Sequence, residues 1–157
     1  MVTGRALARE YSSSSDTLYL HADTIRTLLV ITPSKALNDS VTLPADTTHH
    51  IVAAPHVRFF RTDLQGLCDS MTFVQRDSMM YMNYHPVVWN ENKQIFGNII
   101  EVHMNDSTAD WARLPDFAFT AEWIDEEFYS QLSGKEMVAK FDKGELRHLD
   151  VSGNVMA

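Results

Sequence analysis

The chain has 157 residues, which corresponds to one domain at about 100–200 residues per domain. Its 13 Lys and Arg residues against 21 Asp and Glu residues give a net charge of −8, which argues against general nucleic-acid binding because that needs cations to neutralise phosphates. The sequence contains no apolar run long enough for a membrane-spanning helix. The single cysteine, Cys68, excludes an internal disulfide and a cysteine-rich zinc site.

The N-terminal segment has no basic stretch followed by an apolar stretch, so it is not a signal peptide. Residues 12–15 are four serines, a composition typical of a flexible segment. We therefore expect a flexible lead-in over residues 1–15 and a single domain over residues 16–157. We also expect the chain to be a fragment of a longer protein.

The first strand is predicted at Asp16–Asp23, where Leu18, Leu20 and Ala22 alternate with polar residues. The other predicted strands are Leu28–Ile31, Ile51–Ala54, His56–Arg61, Met71–Val74, Met79–Tyr84, Val87–Trp89, Gln94–Met104, Phe117–Ile124, Glu136–Phe141 and Leu149–Val155. About ten short strands between turn residues predict an all-β fold, with two packed antiparallel sheets and more than about 40% strand. The one helical spacing, at Ile124, Phe128 and Leu132, predicts either a short helix or a capped loop.

A coarse repeat runs through the strands. Leu64–Asp69 and Ile95–Ile100 have the same form, with Gly66 and Gly97 at matching positions. A unit of about 30 residues that recurs in this way predicts stacked rungs of two strands. The glycines are expected at bulges or where strands approach closely.

Four segments, taken in order, resemble the OstA-like family of lipopolysaccharide transport. Residues 18–25 resemble the family's opening strand, which ends in A-D-x-I. Residues 57–69 are similar to its V-x-x-x-x-x-x-L-x-G-x-x-D step, and residues 94–100 repeat that step. Residues 131–137 and 146–155 resemble the terminal G-K-x-M and V-x-G-N-V rungs.

This resemblance implies an antiparallel β-jellyroll, an open twisted roll of two packed sheets built from strand–turn–strand rungs. It implies a periplasmic protein of the Gram-negative envelope that holds the acyl chains of lipopolysaccharide between its sheets and serves outer-membrane biogenesis. The implied partners are lipopolysaccharide or another acyl lipid, other lipopolysaccharide-transport components, and further copies joined through edge strands. Lys and Arg are scarcer here than in the best-known members, so the resemblance does not define the charge of a ligand's head group.

The methionines concentrate in the central strands, and their flexibility suits a surface that accepts varied acyl chains. The predicted lipid-binding interior consists of Met71, Phe73, Met80, Met82, Ile100, Val102 and Phe119. Asp69, Arg61 and Glu101 are expected to face outward, and a register slip after Gly66 would reverse such assignments. The other interpretation is that the methionines fill gaps in an ordinary sandwich core.

Arg58 and Arg61 flank two phenylalanines and are candidate head-group ligands, since paired guanidinium groups can bind a phosphate or a sugar carboxylate. The alternative is that both are ordinary exposed strand residues. We predict no metal site and no cofactor, because neighbouring residues such as His49 and His50 face opposite sides of a strand. Cys68 is expected to be a small buried hydrophobe.

We predict no catalytic residues, so the chain is not expected to be an enzyme. Asp125–Glu127 offers carboxylates of the kind used in glycoside hydrolysis, but an acidic run is usually a solvated turn. The alternative function is a carbohydrate-binding, lectin-like β-sandwich. Exposed Trp89, Trp111 and Trp123 would favour sugar stacking, whereas the same residues inside a roll would favour lipid. A third option is a purely structural segment that extends a bridge.

Two edge strands bear on assembly. Asp16–Ile25 and Leu149–Val155 contain no proline and no run of lysines, the usual features that discourage pairing with another chain. We therefore expect head-to-tail β-augmentation between copies. The competing expectation is a monomer whose ends are covered by the serine-rich lead-in or by Asp125–Leu132.

Overall fold

A computed structural model describes residues 1–11, 17–38, 41–43, 45–62, 64–105, 108–125, 128–143 and 145–157. Strands make up 78% of the described residues, which form no helix, so the all-β prediction is confirmed. The strands are β1 (Val2–Tyr11), β2 (Thr17–Thr32), β3 (Lys35–Asn38), β4 (Val41–Leu43), β5 (Asp46–Ala54), β6 (Val57–Arg61), β7 (Leu64–Cys68), β8 (Ser70–Val74), β9 (Met79–Asn83), β10 (Val87–Asn90), β11 (Lys93–Gly97), β12 (Ile99–Asn105), β13 (Thr108–Leu114), β14 (Ala118–Trp123), β15 (Tyr129–Gly134), β16 (Glu136–Asp142) and β17 (Glu145–Ser152).

All of these strands except the β3–β4 hairpin belong to one antiparallel sheet. Its order is β15-β14-β11-β10-β7-β6-β2-β5-β8-β9-β12-β13-β16-β17, with β1 added to β2. The long strand β2 pairs with β1 and β6 through its first half and with β5 through Thr24–Thr32. It therefore belongs to two arms: a first arm with β1, β6, β7, β10, β11, β14 and β15, and a second arm with β5, β8, β9, β12, β13, β16 and β17.

The chain crosses between the arms at short corners. Asp69, Asn98 and Lys135 are single-residue corners that lead from the first arm to the second. Longer corners lead back, at residues 55–56, 84–86, 115–117 and 153–154, and each contains a residue with positive φ. The result is a stack of two-strand rungs that is nearly closed into a roll. This is the predicted architecture.

The structure corrects the alignment of the repeat. Gly97 lies directly before the corner at Asn98, and the residue in that place in the preceding rung is Cys68, not Gly66. A shift of two residues keeps every side chain on its own face, so the alternation pattern does not detect it. The strand registers run without a bulge through Gly66 and Gly97, so close approach explains both glycines.

A row of small, buried residues lies on the inner face of the first arm beside the corners. Its members, aligned across the strands, are Ala6, Ala22, Val57, Cys68, Pro86, Gly97, Ala118 and Gly134. On the other side of the corners, the second arm presents larger side chains such as Met82, Ile100 and Met137, each no more than 3% exposed. Most of these side chains belong to one contiguous core cluster that joins the arms. Small residues opposite large ones let the two arms interdigitate along the line of corners, which we call the crease.

One local prediction was wrong. Val2–Tyr11, expected within a flexible lead-in, forms β1 and pairs with β2, while residues 12–16 lie outside the described residues. The inward positions of β1 are held by Ala6 and Ala8, whose small side chains give a weak alternation signal. For the helical spacing, the described residues favour the loop over the short helix: Ile124 N–H donates to Phe128 O and Phe128 N–H donates to Asp125 O, while residues 126–127 lie outside the described part of the chain.

Gly66 provides a test of the packing on the first arm. A Cβ atom at this position would overlap the ring of Phe59, its cross-strand partner, which is 6% exposed. Gly66→Ala is expected to lower the free energy of unfolding by about 1–3 kcal/mol, as overpacking of a core usually does. Urea denaturation measures this change. In a Phe59→Leu background the cost of Gly66→Ala should shrink, and an unchanged cost would show that the ring is not responsible.

Candidate functional site

The inner face of the second arm carries two ladders of side chains that run across its eight strands. The first ladder, next to the crease, consists of Ile25, Ala53, Met71, Met82, Ile100, Leu114, Met137 and Val151. The second ladder, farther out, consists of Thr27, Ile51, Phe73, Met80, Val102, Ala112, Ala139 and Leu149. The strand pairings align these residues, and a shared face follows from the period of two.

Six of the seven residues predicted to line the interior lie on this face. They are Met71, Met82 and Ile100 in the first ladder and Phe73, Met80 and Val102 in the second. The two ladders differ in exposure: the first is almost entirely buried, whereas Ile51 in the second is 40% exposed and Phe73 and Met80 are half-buried. The apolar inner surface is therefore only partly covered away from the crease.

Phe119 lies on the opposite face from the one predicted. In β14 it is Ala118 that occupies the crease, fully buried between its partners Gly97 and Gly134. A phenylalanine ring would not fit this row of small residues, so the alternation places Phe119 on the outer face, paired with Phe96. The alternation in the sequence showed which residues of β14 share a face, but it did not show which of the two faces packs at the crease.

The inner face of the first arm changes from apolar to polar with distance from the crease. Its middle row consists of Leu20, Phe59, Gly66, Val88, Ile95, Thr120 and Leu132. Its outermost row, which we call the polar rim, contains Arg61, Leu64, Asn90, Lys93 and Glu122. Lys93 Nζ lies 3.2 Å from Glu122 Oε1. Polar and charged groups on the inner face of this arm thus gather at its rim.

The two candidate arginines lie on opposite faces of β6. Arg61 shares the inner face with Phe59 and is half-buried, so its predicted outward position was wrong, whereas Arg58 is exposed on the outer face. Residues three apart in a regular strand always face opposite sides, which prevents these two guanidinium groups from holding one phosphate. Asp69, at its corner, is exposed. Glu101 is on the outer face of its arm, where Arg113 Nη1 lies 3.6 Å from Glu101 Oε2.

The three tryptophans lie on outer faces. Trp89 and Trp123 are 38% and 49% exposed on the first arm. Trp111 stacks on His103 on the second arm, with ring centroids 5.7 Å apart and planes inclined by 6°. None of the three belongs to either inner ladder. The exposure of Trp89 and Trp123 is the arrangement expected for sugar stacking, not the one expected for lipid inside a roll.

Several histidines are paired with carboxylates on the surface. His56 Nδ1 lies 2.8 Å from Asp23 Oδ2, and His103 Nδ1 lies 3.1 Å from Asp110 Oδ2. Over the described ranges, no group of three or more His, Cys, Asp or Glu side chains is placed to hold a metal ion. Of the acidic run proposed as a carboxylate pair, Asp125 is exposed and residues 126–127 lie outside the described part of the chain.

Comparisons with protein-family models, with curated proteins and with solved structures found no match. The likeness to the OstA-like family therefore rests on the sequence motifs alone. In the described part of the chain no helix is long and apolar enough to span a membrane.

The reactivity of the Cys68 thiol tests whether this residue is buried at the crease. The thiol is 5% exposed, and burial raises its pKa to about 12, with a further contribution from the Asp69 carboxylate. The native thiol should therefore resist a disulfide exchange reagent at pH 8 and react only after unfolding in urea, because the thiolate is the reactive form. Rapid modification of native protein would contradict this placement.

The raised pKa of the same thiol predicts that the stability of the fold depends on pH. Its pKa in the folded state lies above the value of about 8.5 expected in the unfolded chain. The stability contributed by the protonated thiol is therefore complete below that value and is lost as the pH rises toward 12. Compared with a Cys68→Ala variant, the wild-type chain should lose more stability between pH 9 and 11 in urea titrations.

Proposed function

We propose that the chain is a non-enzymatic lipid-binding module that holds acyl chains against the inner face of its second arm. The observation that carries this proposal is the second ladder, which is apolar at every position except Thr27. Val102 and Ala139 in it are buried, but Ile51 is exposed and the other apolar members, Phe73, Met80, Ala112 and Leu149, are only half-buried. Apolar surface in contact with water costs about 25 cal/mol per Å², so an acyl chain laid along the ladder would be stabilised. Flexible methionines such as Met80 let the surface adapt to chains of different shape.

The second ladder is long enough to hold an extended acyl chain. Neighbouring strands lie about 4.8 Å apart, so eight strands extend for roughly 34 Å. The hydrocarbon core of a whole bilayer, which is two acyl chains end to end, is about 30 Å thick. A single acyl chain therefore fits along the ladder with room to spare.

The polar rim supports an amphipathic ligand. Arg61, Asn90 and Lys93 lie on the same inner face as Phe59 and Val88, but farther from the crease. A lipid with its acyl chains on the second ladder would keep its head group at this rim, in contact with water and with charged side chains. The rim contains both signs of charge, which suits a head group with both donors and acceptors.

We further propose that the ligand is lipopolysaccharide and that the protein acts in the periplasm with other transport components. The support is the OstA-like resemblance, whose terminal motifs place Gly134 and Lys135, and then Gly153 and Asn154, at successive corners. A residue pattern that recurs at the crossings between arms is tied to the rung architecture itself, so these matches and the fold agree.

Ile51 offers a test of lipid binding. It lies on the inner ladder and is 40% exposed, so Ile51→Glu should leave the fold intact while placing a charge where an acyl chain would lie. We expect native mass spectrometry of protein purified from a Gram-negative host to show bound acyl lipid for the wild type and little for this variant.

The matched control is Thr72→Glu, on the neighbouring strand β8 but on the outer face. It should retain the lipid, and both variants should keep the wild-type melting temperature within a few degrees. Wild-type protein free of acyl lipid even after incubation with lipopolysaccharide would overturn the proposal. Equal loss in both variants would show that the inner ladder is not the site.

We also propose head-to-tail assembly, and the strand directions support it. At one end of the roll, β17 runs toward the crease on the second arm and β15 does so on the first. At the other end, β1 and the second half of β2 both run away from the crease. If the end formed by β1 and β2 in one copy meets the end formed by β15 and β17 in another, both arms gain antiparallel strand pairs like those already present within each arm.

The predicted edge at Asp16–Ile25 was wrong, because β1 pairs with Thr17–Ile25 and β6 pairs with Tyr19–His21. The second half of β2 is the more exposed of the observed edges. Among the described strands it pairs only with β5 beyond Ile25, and it carries four exposed apolar residues, Leu28, Leu29, Val30 and Ile31. A long apolar edge with unpaired backbone groups invites another strand. At the opposite end, Met156 already forms an isolated bridge with Ser133, so a second copy would have to displace this contact from β15.

Leu29→Lys tests the edge, since lysine on an edge strand discourages pairing. We expect the wild type to associate in sedimentation velocity as the concentration rises, and Leu29→Lys to remain monomeric. Leu67→Lys, which makes the same change at a residue 42% exposed on the central strand β7, should behave as the wild type does. A wild-type monomer at all concentrations would refute the assembly.

A further inference from the structure

A second surface with binding character lies on the outer face of the first arm, away from the inner ladders. It is an open depression of about 280 Å³ at the tip of the β10–β11 hairpin. Its lining residues are Trp89, Glu91, Asn92, Lys93, Gln94, Ala121, Trp123 and Tyr129. The depression is therefore bordered by three aromatic rings with charged and amide groups between them.

The strand registers explain how the rings come together. Trp89 pairs with Gln94 and Gln94 pairs with Ala121, so a small residue separates the tryptophans and forms the floor. Trp123 pairs with Tyr129 on the next strand. The rings are exposed by 38% for Trp89, 49% for Trp123 and 65% for Tyr129. What distinguishes these rings from the other exposed aromatic residues is that they cluster around one depression, and clustered apolar surface is characteristic of interaction sites.

The site is held in shape by Asn92 at the hairpin tip. Its backbone O accepts a hydrogen bond of 2.9 Å from Trp123 N–H, and its Nδ2 donates to Trp123 O at 2.8 Å. The same Nδ2 lies 3.4 Å from Glu122 Oε1. These bonds join the hairpin to β14 beside Trp123, so little ordering would be needed on binding.

We propose that this depression binds a neutral pyranose residue. A pyranose ring has an apolar face of C–H groups and a rim of hydroxyl groups, so it needs an aromatic ring on one side and donors and acceptors at its edge. Trp123 and Trp89 supply the aromatic surface, and Gln94 and Glu91 supply amide and carboxylate groups.

The charges favour a neutral sugar over an anionic one. Lys93 borders the depression at the hairpin tip, but its side chain belongs to the polar rim of the inner face, where its Nζ lies 3.2 Å from Glu122 Oε1. Glu91 adds a further carboxylate at the hairpin tip. An anionic sugar would meet net negative charge here and in the chain as a whole, whose net charge is −8. The volume lies near the lower end of small-molecule sites, which span about 300–1,000 Å³, so the depression suits one ring rather than several.

The test is a titration with the methyl glycosides of glucose, galactose, mannose and N-acetylglucosamine and with maltotriose, followed by saturation-transfer NMR and tryptophan fluorescence. We expect saturable binding of at least one of these probes. Trp123→Ala and Trp89→Ala should each weaken it by about tenfold, the effect of losing one stacking contact. Trp111→Ala, which removes a tryptophan from the outer face of the other arm, should leave the affinity unchanged.

Three results would overturn the proposal. One is the absence of saturable binding for every probe at millimolar concentration. Another is equal weakening by Trp111→Ala and Trp123→Ala, which would place the binding elsewhere. The third is that sialic acid, titrated in the same way as an anionic comparison, binds while none of the neutral sugars does. Trp123→Tyr should restore part of the affinity, and melting temperatures close to that of the wild type would exclude unfolding as the cause of any loss. Lipid binding on the inner face is not required for any of these outcomes.

Discussion

The architecture depends on one packing constraint, the row of small residues at the crease. Ala22, Val57 and Ala118 have no exposed surface, and each lies beside a point where the chain passes between the two arms. Because these side chains are small, the larger residues across the corner, such as Met82, can pack against the first arm. Each crossing adds one rung to the same core, so the same packing of small residues against large ones recurs along the roll.

The same constraint determines where apolar surface is left uncovered. Packing is complete at the crease, where the arms are joined, and weakens toward the tips, where they diverge. Met82 in the first ladder is 2% exposed, whereas Ile51 in the second is 40% exposed. The fold thus has a closed core along one line and a partly open apolar surface beside it. We connect that surface with acyl chains because it is continuous, deformable and bordered by a polar rim.

The inner and outer faces of the first arm differ in chemistry because strand alternation separates them. The inner face presents Phe59 and Val88 near the crease, while the outer face presents Trp89 and Trp123 around a polar depression. The two faces would meet chemically different ligands, an acyl chain on the inside and a sugar ring on the outside.

Alternation in the sequence was sufficient to determine the all-β class, the rungs and the residues that share a face, because side chains in a strand repeat every two residues whatever surrounds them. This is why Met82 and Ile100 were assigned correctly to one inner face. Only the tertiary structure decided which face of each strand meets the crease, because that choice depends on residue volume at the corner. Phe119 and Arg61 were therefore placed on the wrong sides. The site around Trp123 combines three strands and a hairpin tip that only the sheet order brings together, so the sequence gives its residues but not their proximity.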